Sequence, residues 1–254
     1  MPARKRTQIL GIQVDNATYE EALSLVEDFI ADGRPHLVVT VNPEFIILAR
    51  KEPSFAQILN GADLALPDGQ GLLWAARILG SPLRQRVTGV DTLIGISGLA
   101  AEKGYRLYLL GAAEGVAQAA AQQLRQRHPG LDIAGTHAGS PALEDENEMV
   151  GNIKRARPDI LFVAYGAPQQ EEWIARNLGR LGVPVAMGVG GTFDFVSGRA
   201  KRAPVWVQRF GLEWLYRLGH EPWRWRRMLA LPRFACLVLR ARLGWSTLGK
   251  GNMA

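Results

Sequence analysis

Short apolar runs alternate along this chain with longer stretches whose apolar positions recur every three to four residues. The runs at 9–14, 37–41, 62–66, 105–110, 131–136, 160–165 and 183–189 have the length and composition of buried strands. Helical spacing between them predicts helices over 18–31, 88–102, 144–156 and 169–178. Further helices are expected from Pro43, up to about 79, and from the turn after 110 to about 128. Thr18 with Glu21, and Thr88 with Asp91, stand at capping-box spacing. Such alternation predicts an α/β fold with a mostly parallel sheet and helices on both faces. Past about Gly198 the strand pattern stops, dividing the chain into a core, 1–198, and a helical appendage, 199–254.

Charge changes the picture at that boundary. The chain of 254 residues carries a net charge of +6. Beyond Gly198, Arg and Lys recur throughout while Glu213 and Glu221 are the only acids. Such a local field attracts phosphate, anionic lipid or nucleic acid. Trp206, Phe210, Trp214 and Leu218 form one stripe at i/i+4 spacing. Further on, Trp223, Trp225, Phe234, Leu237, Val238 and Leu239 are interleaved with arginines. An interfacial amphipathic helix has this pattern, and so do helices packed on a core with snorkelling arginines. No nucleic-acid-binding module accompanies it, so nucleic acid is not an expected partner.

Cys236 is the only cysteine, which excludes an intrachain disulfide and fits a reducing compartment. The histidines at 36, 128, 137 and 220 have no metal-ligand spacing, so no metal site is expected. The basic N-terminal stretch has too short an apolar run for a signal peptide, and no stretch of ~20 apolar residues exists. These features predict a cytoplasmic protein peripherally associated with the inner face of the membrane. Subunit number, a homo-oligomer included, is left open.

In parallel sheets, ligands bind where loops leave the carboxyl ends of strands. Five loops qualify. After the 37–41 run, Thr40 and Asn42 could bind phosphate or sugar hydroxyls, while Asn42 before Pro43 also suits a helix cap. After the 62–66 run, Asp68 in PDGQG is either a proton acceptor on a tight turn or a plain turn residue or helix N-cap. Gly111 in LGAAEG could admit a diphosphate to backbone amides, or make a simple turn. GAPQQEEW presents Gly166 and the pair Gln169 and Gln170 at a helix start, with Glu171 and Glu172 suited to the helix dipole. GVGGTFDF puts Gly190 on bare backbone and Asp194 between two phenylalanines, where the carboxylate needs a ligand or an arginine such as Arg199 or Arg202. No DxD motif appears, so a bound diphosphate would be neutralised by arginines and helix N-termini.

Taken in order, Thr40-Val41-Asn42, PDGQG, GAPQQE, GVGGTFD, Arg202-Ala203-Pro204, and GLEW with Arg217, Glu221-Pro222 and Arg224 resemble the WecG/TagA/CpsF family of bacterial glycosyltransferases. The set spans nearly the whole chain. The resemblance implies a Rossmann-like core with a C-terminal helical appendage. It implies inverting, metal-independent transfer of a hexose or N-acetylhexosamine-type sugar from a UDP-sugar donor to a polyprenyl-diphosphate-linked saccharide acceptor. Family products feed teichoic acid, enterobacterial antigen or exopolysaccharide assembly. Carried over by position, Asp68 is the general base, and Thr40, Asn42 and Gln170 line the sugar and acceptor site. Gly111, Gly166, Gly190 and Asp194 belong to the nucleotide pocket, while Arg217, Arg224 and Arg227 close over the diphosphate beside the membrane. One departure stands out: many relatives have an aromatic after the glycine following the 131–136 strand, whereas Gly139 here precedes Ser140, so the base must be held otherwise. The rival on a similar architecture, a nicotinamide-dependent oxidoreductase, requires a GxGxxG turn after a strand, which is missing.

Overall fold

The computed structural model describes residues 4–244, apart from positions 210, 221, 223 and 224 and the side chains of 205, 209 and 217. The chain opens with an antiparallel hairpin, β1 (Arg6–Ile9) and β2 (Ile12–Asp15). The apolar run at 9–14 is therefore two strands turned at Leu10 and Gly11, both at positive φ. The hairpin is tied to the main sheet by the buried Asp15 carboxylate, which accepts from the Ala65 amide at 2.8 Å and from Arg6 at 3.1 Å.

Next come α1 (Tyr19–Asp32), β3 (His36–Val41), α2 (Pro43–Ala49), α3 (Pro53–Gly61), β4 (Leu64–Pro67), α4 (Gln70–Ile78) and α5 (Gly89–Lys103). They are followed by β5 (Arg106–Gly111), α6 (Val116–Arg127), β6 (Asp132–His137), α7 (Leu143–Ala156), β7 (Ile160–Ala164), α8 (Gln169–Leu181) and β8 (Val185–Gly188). The rest is helical: α9 (Thr192–Val196), α10 (Val205–Arg209), α11 (Glu213–His220), α12 (Trp225–Met228) and α13 (Ala230–Arg242). Thr18 caps α1 in a reciprocal capping box with Glu21, and Gly33 closes that helix in the left-handed conformation. Two helices escaped the periodicity. α3 has no side-chain cap, and α9 is a single turn folded from the GGTFDF segment.

Strands β3–β8 form one parallel sheet in the order β4-β3-β8-β7-β5-β6. Side chains alternate between its faces: Leu161 and Val163 enter one apolar cluster, Phe162 the other. The first cluster is covered by α2, α3, α4, α7, α8 and α13, the second by α1, α5 and α6.

The appendage meets this core directly. Phe234 and Val238 of α13 are buried in the same cluster as Phe45, Ile46, Leu72 and Ala76. The stripe running from Trp206 to Leu218 is not one helix, because Gly211 adopts φ +72 between α10 and α11. A side chain at Gly211 would meet Gln70 at 2.8 Å. Trp206, Trp214, Leu215, Trp225, Leu229 and Leu243 are exposed. The sequence alternatives for the tail thus divide: the inner face of α13 is core packing, and the outer aromatic and aliphatic residues face solvent. Among the described residues no helix is long and apolar enough to cross a membrane.

Candidate active site

The carboxyl ends of β3, β4, β7 and β8 open into one cleft of about 1050 Å³, roofed by the appendage. Thr40, Asn42, Asp68, Gly166, Gln170, Gly190, Asp194 and Arg227 all line it. The parallel sheet explains this convergence, since strands running one way deliver all their following loops to one edge.

Asp68 follows β4 and is not a helix cap. That place belongs to Gly69, at φ +98, a conformation costly for any residue with a Cβ. The Asp68 backbone is pinned by its amide to Val41 O at 2.7 Å. Its carboxylate accepts one long bond, 3.5 Å, from the Gly89 amide. Burial pushes its pKa up to about 6, against the pull of the nearby Arg86 and with a further push from Glu213. A carboxylate with that pKa, on a cleft wall and without structural duty, is suited to accepting a proton near neutral pH.

Around Asp68 lies a chain of charges joining core to appendage. Arg86 pairs with Glu213 of α11 at 3.2 Å, and Glu213 also meets Arg202 at 3.5 Å. Arg202 in turn forks onto Asp91 of α5 at 2.6 and 3.0 Å. Thr88 donates to the same carboxylate at 2.7 Å, so Asp91 serves Arg202 instead of completing a capping box. Of the alternatives open for Asp194, the arginine pair is not formed: Arg202 is taken by Asp91 and Glu213, and the Asp194 carboxylate has no ion-pair partner among the described residues.

Asn42 caps α2, its Oδ1 accepting from Phe45 N at 3.0 Å, while its side chain still borders the cleft. Thr40 and Thr192 both pack close to Gly89, where a Cβ would lie 3.7 and 3.6 Å from their hydroxyls. Gln170 is a strut. Its Oε1 accepts from Gly166 N at 3.1 Å and Gly190 N at 2.9 Å, and its Nε2 donates to Glu171 at 2.6 Å. Gly111 is not on the cleft wall among the described residues; Ala112 is. Gly111 sits at φ +102 against β7, where a Cβ would lie 2.8 Å from the Ala164 carbonyl carbon, so packing explains it. Ser140 is also off the cleft, its Oγ accepting from Ala142 N at 3.1 Å; the aromatic on that side of the cleft is Tyr165.

Arg227 reaches across to Glu44 in the first turn of α2, at 2.6 and 3.1 Å. Arg224 and the side chain of Arg217 lie outside the described residues. Arg86 escaped the sequence reading because it stands in an aperiodic linker and its partner is 127 positions away. The available signal was a pair of arginines, Arg84 and Arg86, just before the cap Thr88.

Glu171 stands in the first turn of α8, where it suits the helix dipole, and is also fully buried, hydrogen-bonded to the cleft-lining Gln170. Burial, the dominant effect, pushes its pKa from 4.5 up to about 8. Between those two values the folded protein holds a proton that the unfolded chain has released, so stability falls as pH rises. Glu171→Gln is expected to remove that slope. Its melting temperature should match wild type near pH 5 and exceed it near pH 8, by an effect on the order of several kcal/mol. Parallel melting curves across that range would disprove the assignment.

A doubly covered parallel sheet, a half-buried acid over a strand-end cleft and arginines on a helical roof suit an α/β enzyme acting on an anionic substrate. The chain belongs to the Glycosyl transferase WecG/TagA/CpsF family, whose sequence model matches residues 7–247. It is 37% identical over 233 residues to an N-acetylglucosaminyldiphosphoundecaprenol N-acetyl-beta-D-mannosaminyltransferase of Bacillus subtilis, covering 91% of this chain and 90% of that protein. A Bacillus spizizenii protein of the same description is 36% identical over 227 residues, covering 89% of this chain and 88% of its own. A Staphylococcus aureus counterpart is 33% identical over 239 residues, 93% of each chain. The oxidoreductase alternative falls with this membership.

Proposed function

We propose that this enzyme transfers an N-acetylmannosamine-class sugar from a UDP donor to a polyprenyl-diphosphate-linked N-acetylglucosamine at the membrane surface, with inversion. The carrying observation is Asp68: a carboxyl held near pKa 6, free of capping duty, over a cleft that also presents Arg86. The relatives' shared description supplies the donor and acceptor sugars.

In this reading Asp68 takes the proton from the acceptor hydroxyl as its oxygen bonds to the donor's anomeric carbon. The bond from that carbon to the diphosphate oxygen breaks, and UDP leaves with the electron pair. Arg86 and Arg202, both on the cleft wall, offset the developing charge in place of a metal. Arg227, which lines the cleft, adds a further cation, and the resemblance assigns Arg217 and Arg224 to the same diphosphate. Thr40, Asn42 and the loops after β7 and β8 hold the sugar and diphosphate, with Gln170 fixing those loops through the Gly166 and Gly190 amides. Tyr165 offers an aromatic face for the base in place of the one absent after Gly139.

Membrane association, in this reading at the cytoplasmic face, is supported by the exposure of Trp206, Trp214, Trp225 and Leu229 and by the Arg226 guanidinium lying over the Trp225 ring. Incubation with a panel of UDP-sugars and a soluble prenyl-diphosphate-N-acetylglucosamine, read by mass spectrometry, tests the proposal. The expected product gains one N-acetylhexosamine. No transfer from any UDP-sugar would overturn it.

A further inference from the structure

The cleft has a second character away from Asp68. One face of α4 lines it through Trp74 and Ile78, one and two turns beyond the polar start of the helix. The facing stripe on α13 is Phe234, Ala235, Val238 and Leu239. Phe234 and Val238 form a buried floor, whereas Trp74 and Leu239 are more than half exposed and Ile78 is 39% exposed. Two helices thus make a trough, apolar on both walls and continuous with the polar end of the cleft. Water-facing tryptophan and aliphatic side chains beside a site are costly unless something apolar covers them.

We infer that this α4–α13 trough binds the first isoprene units of the acceptor's polyprenyl chain, making lipid length a determinant of acceptor affinity separate from membrane attachment. This rests on the proposed function. The argument is continuity: an acceptor hydroxyl at Asp68 places its diphosphate under the arginine-bearing roof, and the hydrocarbon attached to that diphosphate must leave along a wall of the same cleft. The wall formed by Trp74, Ile78, Ala235 and Leu239 is apolar, whereas the wall at Thr40, Thr88 and Asp194 is polar. From Ala230 to Arg242, α13 is one continuous helix, so its stripe extends over several turns along the trough.

The test uses the full-length enzyme without vesicles, below the aggregation concentration of each acceptor. Acceptors share one diphosphate-linked saccharide and carry a methyl group or one, two or three isoprene units. Wild-type KM should fall with length, by roughly tenfold or more over the series, because each buried methylene adds to binding. Ala235→Trp, at an exposed position on the trough wall, should flatten that slope. Leu239→Glu, further out, should flatten it for the longest acceptor first and serves if the larger residue disturbs folding.

A KM independent of chain length in solution, or a length dependence seen only with vesicles present, would overturn the inference and assign the effect to the bilayer. An unchanged slope in both folded variants would do the same. Self-association in sedimentation experiments, lost in Ala235→Trp, would give the trough to a second copy of the chain. Absence of transfer to every acceptor would defeat the parent reading and this inference with it.

Discussion

Asp68→Asn is expected to lower kcat by about 10²–10⁴, the usual loss on removing a general base. UDP binding should persist, since the amide keeps the size of the carboxyl and the loops of Gly166 and Gly190 are untouched. The wild-type rate should rise through an inflection near pH 6, where the Asp68 carboxyl loses its proton. Below that pH the base is already protonated and turnover falls; above it the rate levels off. In Asp68→Asn the rising limb should disappear. Folding offers a control, because a buried carboxyl with a raised pKa opposes folding in its charged form, so the variant should melt no lower than wild type at pH 7. Near-normal turnover in the variant, or an unmoved acidic limb, would remove Asp68 from the role.

Truncation after Gly198 should have the second large effect, and on two observables. It removes Arg202 and Glu213, which tie the appendage to Asp91 and Arg86, and with them the roof of the cleft. Activity and membrane association should vanish. It also strips Phe234 and Val238 from the apolar cluster shared with α2 and α4. Losing two such side chains costs about 5 kcal/mol or more, so the shortened chain should retain its sheet yet melt well below the parent. An active truncated enzyme would refute the role of the roof. Unaltered melting would refute the packing argument.

The strand-end loops were legible because they follow from two local rules: buried strands read as short apolar runs, and parallel strands deliver their loops to one edge. Thr40, Asn42, Asp68, Gly166, Gln170, Gly190 and Asp194 all reached the cleft for that reason. What stayed hidden depends on tertiary pairing. The Arg202–Asp91 contact spans 111 positions and Arg86–Glu213 spans 127, distances over which no periodicity carries information. The inner face of α13 was hidden for a related reason. Phe234 and Val238 among arginines match an interfacial helix as well as a packed one, and only the presence of α2 and α4 opposite them decides. Gly111 shows an ambiguity of the opposite kind: a diphosphate turn and a simple turn read alike in sequence, and its need for glycine comes from the Ala164 backbone behind it.

A single amide oxygen, that of Gln170, accepts from backbone on both the β7 and the β8 loop. Parting these two neighbouring rims would break both bonds at a buried amide, so the sheet edge resists spreading. Exchange of reactant and product is then expected to proceed by motion of the helices opposite, against a comparatively fixed anvil.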